Sequence, residues 1–105
     1  SVVSKEKRSI YSASKSGLDG LTRSLSLEFA PFNILVNSIA PGYVDTKMIQ
    51  LHNSEKELEI IKKIIPLGRF GKPNEIGELV KFLCSEKNSY ITGQIIPIDG
   101  GYLIR

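Results

Sequence analysis

Two short apolar runs constrain the fold of this sequence more than any other feature. Residues 34–39 read Ile-Leu-Val-Asn-Ser-Ile, and residues 95–98 read Ile-Ile-Pro-Ile. Nearly continuous apolar runs of this length are typical of strands buried on both faces, as in a parallel sheet. The sequence therefore predicts an α/β fold with a parallel pair of strands.

Three helices are predicted around these strands. Residues 12–29 contain no proline, carry leucines at helical spacing and are followed by Pro31. A polar, irregular stretch is expected before Ser54, which forms the capping-box signature of a second helix with Glu57. Pro73 lies at the first turn of the third helix. The order helix, strand, helix, helix, strand indicates the second half of a doubly wound α/β domain, incomplete as given.

Composition and charge exclude several classes of function. Of the 105 residues, 41% are hydrophobic and 24% charged, as in an ordinary soluble globular domain. The net charge of +3 comes from scattered basic residues, without the stripe that nucleic-acid binding needs. The sequence predicts no metal site, no membrane span and no signal peptide. A single cysteine excludes an internal disulfide, and we expect a reducing, cytoplasmic location.

Two potentially reactive side chains are assigned no chemistry. Cys84 ends the apolar stripe of the third helix, so we expect a buried small hydrophobe rather than a reactive thiol. His52 has no cysteine or acidic cluster beside it, and we expect it at the surface.

Tyr11 and Lys15 form the pair with the clearest catalytic potential. Residues four apart lie on one helix face, with Cβ atoms about 5–6 Å apart. A neighbouring ammonium favours the phenolate and lowers the tyrosine pKa from its usual value of about 10. Such a tyrosine can exchange a proton with a carbonyl or alcohol. The spacing also arises by chance, and taken alone it indicates no more than a solvated helix start.

Five motifs in order extend this pattern over the whole chain. They are Tyr11-Ser-Ala-Ser-Lys15-Ser-Gly17, Pro41-Gly-Tyr-Val-Asp-Thr46, Pro66-Leu-Gly-Arg-Phe-Gly-Lys-Pro73, Tyr90-Ile-Thr-Gly93 and Asp99-Gly-Gly101. In this order and spacing, the chain resembles the C-terminal part of the short-chain dehydrogenase/reductase family and is similar to 3-oxoacyl-carrier-protein reductases. The resemblance implies that residues 1–105 are the C-terminal part of one NAD(P)-binding Rossmann domain, without its glycine-rich N-terminal half.

The resemblance also implies an activity, the interconversion of a ketone and a secondary alcohol with NAD or NADP. Tyr11 matches the family's catalytic acid/base, and Lys15 matches the lysine that lowers its pKa and bonds the nicotinamide ribose. The family's catalytic serine falls before Ser1, and Ser1 could take that role only through a shortened loop. We therefore expect this chain alone to be inactive. Nothing in the sequence separates NAD from NADP, because the residues that select between them are absent.

The loop after the first strand matches the nicotinamide end of the family's cofactor site. The matching residues are Pro41, Gly42, Val44 and Thr46. The backbone at Val44 corresponds to a carboxamide contact, and the Thr46 hydroxyl to a contact with the carboxamide or a phosphate. Read without the family, Pro41-Gly42 marks only a strand-to-loop turn. The Asp99-Gly100-Gly101 motif matches a structural turn.

Residues 45–65 match the family's variable substrate lid. Its apolar residues either line a substrate pocket or pack the lid helix down: Met48, Ile49, Leu51, Leu58 and Ile61. Two other roles stay open for the whole chain. One is a catalytically dead homologue that serves as a binding or oligomerisation subunit. The other is association through the 12–29 helix, whose Gly17 and Gly20 permit close approach of a second subunit, in a dimer or homotetramer.

Overall fold

The computed structural model describes residues 5–104, and their side chains from residue 9 onward. Its regular elements, in chain order, are the helix α1 (Lys5–Phe29), the strand β1 (Ser38–Pro41), the helices α2 (Lys47–His52), α3 (Glu55–Ile64) and α4 (Pro73–Leu83), and the strand β2 (Ile95–Ile98). Short 3₁₀ turns span Ala30–Phe32 and Tyr102–Ile104. Within 5–104, none of the helices combines the length and apolar character needed to cross a membrane. The candidate serine Ser1 lies outside the described residues.

The strands β1 and β2 pair in a two-stranded parallel sheet. Ser38 N donates to Gln94 O at 2.9 Å, and Gly42 N donates to Ile98 O at 3.0 Å. The partner residue advances along β2 as the donor advances along β1, so the two strands run in the same direction. The predicted α/β class with a parallel pair is confirmed, and β2 has the predicted bounds.

The prediction for the start of β1 was wrong: the strand begins at Ser38, later than the predicted run 34–39. Side chains replace part of the backbone ladder before it. Val36 N donates to Thr92 Oγ1 at 2.9 Å. The side-chain amide of Asn37 bonds two backbone groups of the facing segment, at 2.9 and 3.1 Å. The chain therefore follows its neighbour here without forming a regular strand.

The chain divides into two compact units. The described residues up to Ser38, together with Ser89–Ile95, form unit 1. Ile39–Asn88 and the described residues from Ile96 onward form unit 2. Unit 1 contains α1, and unit 2 contains the helices α2, α3 and α4.

In unit 1, α1 starts at Lys5, earlier than the predicted helix 12–29, so Tyr11 lies inside the helix rather than at its start. The added first turn is polar, and no apolar stripe marks it in the sequence. The helix ends where predicted. Pro31 cannot continue it, and Asn33 then adopts a left-handed φ of 57°.

Two polar side chains in the middle of α1 are buried in unit 1. Thr22 and Ser26 are buried, and their hydroxyls donate to Leu18 O and Arg23 O at 2.9 and 2.7 Å. These bonds satisfy polar groups that would otherwise be costly to bury. Gly93 has a φ of 72° and lies so close to the helix that a Cβ there would be 2.8 Å from Ser26 Oγ.

Unit 2 is built around two buried side chains, Ile65 and Phe70. Both lie in residues 65–72, here called the 65–72 segment, which connects α3 to α4. The capping box predicted for α3 is present, since Ser54 and Glu57 each bond the other's backbone N–H at 3.1 Å. The helix α4 begins at its proline, as predicted.

Two features of unit 2 differ from the predictions. The stretch before Ser54, expected to be irregular, contains α2, whose six residues are too few to show apolar periodicity. Cys84, expected to be buried, is exposed because it caps the C-terminus of α4, beyond the helix itself. His52 is exposed, as expected.

Gly93→Ala is expected to lower the free energy of unfolding by about 1–2 kcal/mol, because alanine is strained at positive φ. The added methyl would also meet Ser26 Oγ. Gly77→Ala is the matched control, since a Cβ there meets nothing within 4 Å. In a helix interior it should raise the free energy of unfolding by about 0.5–1 kcal/mol. Urea unfolding of the polypeptide that carries this chain measures both, and equal effects would contradict the packing at Gly93.

Candidate active site

Tyr11 and Lys15 lie one turn apart on the same face of α1, in unit 1. Both are exposed, and Tyr11 has 66% of its surface open to solvent. A phenol and an ammonium so placed are accessible to a ligand, and the phenol can donate or accept a proton. The sequence predicted that Tyr11 and Lys15 share one helix face, and the structure places both residues on one face of α1.

The loop formed by residues 41–46, here called the 41–46 loop, lies in unit 2 and is held by Gly71. Gly71 N donates to Tyr43 O at 2.9 Å, and Asp45 N donates to Gly71 O at 2.8 Å. These two bonds form a parallel bridge between Gly71 and Val44. In such a bridge the N–H and C=O of Val44 point away from Gly71. Within residues 5–104 neither group has a hydrogen-bond partner, so both are available to a ligand.

Gly42 has a packing reason to be glycine. A Cβ at this position would lie 2.7 Å from the Cβ of Asp99 and 2.9 Å from its Cα. Its N–H donates to Ile98 O at 3.0 Å, which extends the pairing with β2 by one residue. Pro41, at the end of β1, is exposed. The start of the loop is thus fixed against the chain that follows β2.

Thr46 occupies the N-cap of α2. Its Oγ1 accepts from Ile49 N at 3.3 Å, which leaves the hydroxyl hydrogen able to donate to a ligand. Beside it, Asp45 Oδ1 accepts from Gln50 Nε2 at 2.9 Å. The side chains of Asp45, Thr46 and Gln50 line a shallow open hollow together with Lys47 and Leu51. This end of the loop therefore presents polar groups in a concave surface.

The predicted site residues fall into two groups. Pro41, Gly42, Val44 and Thr46 share one loop in unit 2, whereas Tyr11 and Lys15 share one helix face in unit 1. The apolar lid residues also divide. Met48 and Leu51 are exposed, whereas Ile49, Leu58 and Ile61 are half-buried.

Gly71 and Tyr43 are site residues that the sequence did not indicate. Both are part of motifs that carry the resemblance, but neither residue type has chemistry that would distinguish it. Gly71 acts through its backbone. The Tyr43 ring packs edge-on against Tyr102, with 5.4 Å between centroids and 86° between planes. The Pro66–Pro73 motif lies between two predicted helices, and nothing in its residue types indicated a contact with the 41–46 loop.

An ion pair stands next to Gly71. Arg69 Nη1 and Nη2 donate to the two carboxylate oxygens of Glu75, at 2.8 and 3.0 Å. The bonds from Arg69, followed by a bond from Lys72 N, lower the pKa of Glu75 from 4.5 to about 2. Because the pKa of Glu75 is lower in the folded state, its ionised carboxylate stabilises that state at pH values above the ordinary pKa of 4.5. This contribution is lost as the pH falls through about 2. The pair is therefore fully ionised at neutral pH.

Comparison with known proteins gives consistent matches along the chain. Residues 1–103 match the model of a protein family described as enoyl-(acyl carrier protein) reductase. The chain is 52% identical over 91 residues to a 3-oxoacyl-[acyl-carrier-protein] reductase of Aquifex aeolicus, covering 87% of this chain and 36% of that protein. It is 46% identical over 103 residues to a tropinone reductase homolog of Arabidopsis thaliana, covering 97% of this chain and 32% of that protein.

Solved structures match at the level of the fold as well. The acetoin dehydrogenase of Enterobacter cloacae superposes with a TM-score of 0.76 at 44% identity, covering 91% of this chain and 37% of that one. An Agrobacterium tumefaciens protein with bound NADP superposes with a TM-score of 0.82 at 38% identity, covering 90% and 39%. This chain thus spans about a third of the length of the curated relatives it matches. With its parallel strands and this part of a Rossmann fold, the chain belongs to the short-chain dehydrogenase/reductase family.

Proposed function

We propose that the polypeptide carrying this chain is an NAD(P)-dependent oxidoreductase that interconverts a ketone and a secondary alcohol. One observation carries the proposal: Tyr11 and Lys15 lie on one exposed helix face in a chain that matches a reductase family over residues 1–103. The relatives named above include reductases and a dehydrogenase, which supports the same reaction class. Residues 1–105 would supply the C-terminal part of one NAD(P)-binding domain.

Tyr11 would handle the proton of this reaction. When a carbonyl is reduced, its oxygen gains negative charge, and the Tyr11 hydroxyl would donate a proton to it. In the reverse direction, the phenolate would accept the proton of the alcohol. Lys15, one turn along the same face, would stabilise the phenolate by its positive charge and hydrogen-bond the ribose of the cofactor. A serine outside the described residues would polarise the substrate oxygen, so this chain alone would be inactive.

The 41–46 loop has donors and acceptors suited to a nicotinamide carboxamide. That group has both an N–H₂ donor and a carbonyl acceptor, and Val44 offers a free N–H and a free C=O on one edge. Thr46 adds a hydroxyl that can donate to the carboxamide or a phosphate. Pro41 and Gly42 would set the path of the backbone toward these contacts. NAD or NADP, when bound, would supply or accept the hydride.

The substrate class is a small molecule with a carbonyl or secondary alcohol. The relatives' names include a 3-oxoacyl group and acetoin, and both contain a ketone. The exposed side chains of Met48 and Leu51 would contact the apolar part of such a molecule. We also propose a cytoplasmic location, which the single cysteine supports.

Self-association through α1 is the remaining part of the proposal. Gly17 and Gly20 lie one turn apart, and a Cβ at either position meets nothing within 4 Å. A helix with small residues on one face permits a second helix to approach closely. Leu21, four residues after Gly17 and therefore on the same side of the helix, is an exposed apolar residue. We therefore propose a dimer or homotetramer in which α1 packs against its counterpart.

Tyr11→Phe is expected to lower kcat/KM by about 10²–10⁴, the usual contribution of a general acid–base group. The substitution removes the hydroxyl and keeps the ring. The assay follows consumption of NADH or NADPH by the polypeptide that carries this chain, with a 3-oxoacyl thioester as substrate. Tyr90→Phe is the matched control, because Tyr90 is 97% exposed and lies on no part of the candidate site; its activity should match that of wild type.

Two results would count against this role of Tyr11. Activity of Tyr11→Phe close to that of wild type would exclude Tyr11 as the acid/base. A wild-type polypeptide that binds NAD(P)H but reduces no carbonyl substrate would favour the catalytically dead homologue instead.

Gly20→Leu is expected to shift the protein to a smaller species in sedimentation velocity, because the larger side chain keeps two copies of α1 apart. Gly77→Leu, at a glycine of α4 that is equally open, serves as the control. A sedimentation coefficient of Gly20→Leu identical to that of wild type would contradict association through this face.

A further inference from the structure

Gly71 positions the 41–46 loop, yet it lies in a segment without regular structure. Residues 65–72 connect two helices and form neither helix nor strand apart from the bridge at Gly71. The buried ring of Phe70 anchors the segment to the core of unit 2, and Lys62 Nζ lies 5.8 Å from its centroid. A buried ring fixes the position of its own residue. It does not set the orientation of the next peptide group, on which the bonds of Gly71 depend.

The Arg69–Glu75 pair supplies that orientation, because it bonds the backbone on both sides of Gly71. On the N-terminal side, Arg69 Nη1 donates to Phe70 O at 3.0 Å. On the C-terminal side, Glu75 Oε1 accepts from Lys72 N at 2.9 Å. The guanidinium and the carboxylate are joined by two bonds at 2.8 and 3.0 Å. One rigid bidentate pair therefore holds the two peptide groups that flank Gly71.

Global stability does not explain this arrangement. The side chains of Arg69 and Glu75 remain 48% and 38% exposed, and exposed ion pairs add little to the stability of a fold. The pair reaches backbone atoms at both of its ends, which a purely superficial ion pair does not do. Its geometric consequence is local. It limits rotation of the peptides at Gly71, and Gly71 in turn holds Tyr43 O and Asp45 N.

We propose that Arg69 and Glu75 are positioning residues for the cofactor-binding edge of the 41–46 loop. By fixing the peptides around Gly71, they set the direction in which Val44 presents its N–H and C=O. The link from this loop to NAD(P) rests on the proposed function. The link from the ion pair to the loop does not rest on the proposed function, because every hydrogen bond between the Arg69–Glu75 pair, Gly71 and the loop lies within unit 2.

Hydrogen exchange at the Asp45 amide tests the positioning directly, because this N–H donates to Gly71 O. Arg69→Ala and Glu75→Ala should each speed exchange there on the order of tenfold, the loss expected for a bond of this kind. Amides buried in the core of unit 2 and the midpoint of urea unfolding should change little. Glu78→Gln is the matched control, since Glu78 is exposed on α4 in the same unit and, within residues 5–104, its carboxylate makes no hydrogen bond or ion pair.

Kinetics of the same variants, in the polypeptide that carries this chain, connect the loop to the cofactor. We expect KM for NAD(P)H to rise on the order of tenfold, with a smaller change in kcat, because the loop binds the cofactor and does not transfer the proton. Glu75→Gln keeps an oxygen that can accept from Lys72 N and should give a smaller effect than Glu75→Ala. Arg69→Lys keeps the positive charge but removes the guanidinium that bonds both carboxylate oxygens of Glu75. If the alanine variants do not fold, these conservative variants provide the test.

The two readouts separate the two claims. Unchanged exchange at Asp45 in folded Arg69 and Glu75 variants overturns the positioning proposal, whatever the activity. Faster exchange together with an unchanged KM for both NADH and NADPH supports positioning of the loop and contradicts its proposed role in binding the cofactor.

Discussion

The candidate site depends on two backbone hydrogen bonds between Gly71 and the 41–46 loop. Because Gly71 bonds both Tyr43 O and Asp45 N, the residue between them is held with its own backbone groups facing outward. Backbone groups that are oriented before binding lose little conformational freedom when a ligand arrives. This explains how a loop without helix or strand can offer a defined pair of donor and acceptor. The proposed cofactor contacts of Val44 follow from that constraint.

Close backbone packing fixes the other side of the same loop. Gly42 lies against Asp99, whose carboxylate accepts from the N–H groups of Gly101 and Leu103 at 3.0 Å. This confirms the turn predicted for the Asp99-Gly100-Gly101 motif. Gly100, at a φ of 64°, packs against the side chain of Ile65. The turn after β2 and the 65–72 segment therefore hold the loop from two directions, and both lie in unit 2.

Local signals in the sequence were sufficient for much of this arrangement. Periodicity and caps predicted α3 and α4, and the apolar run at 95–98 predicted β2, because those elements are specified by neighbours in the chain. The start of β1 was not predictable, since Asn37 replaces backbone bonds with its side chain. The bonds of Gly71 were not predictable either. They join residues far apart in sequence through backbone atoms, which leave no trace in residue type. The Tyr11–Lys15 spacing was visible in the sequence, but the position of Tyr11 inside α1, rather than at the start of the helix, was not.

The central proposal is that the polypeptide that carries this chain is an NAD(P)-dependent carbonyl reductase. Deuterium transfer tests it most directly. The polypeptide that carries this chain is incubated with a 3-oxoacyl thioester and NADH or NADPH that carries two deuterium atoms on C4 of the nicotinamide, and the product is analysed by mass spectrometry. The account predicts a 3-hydroxy product that carries deuterium on the former carbonyl carbon. A 3-hydroxy product without deuterium, or a substrate left unreduced with both cofactors, would contradict it.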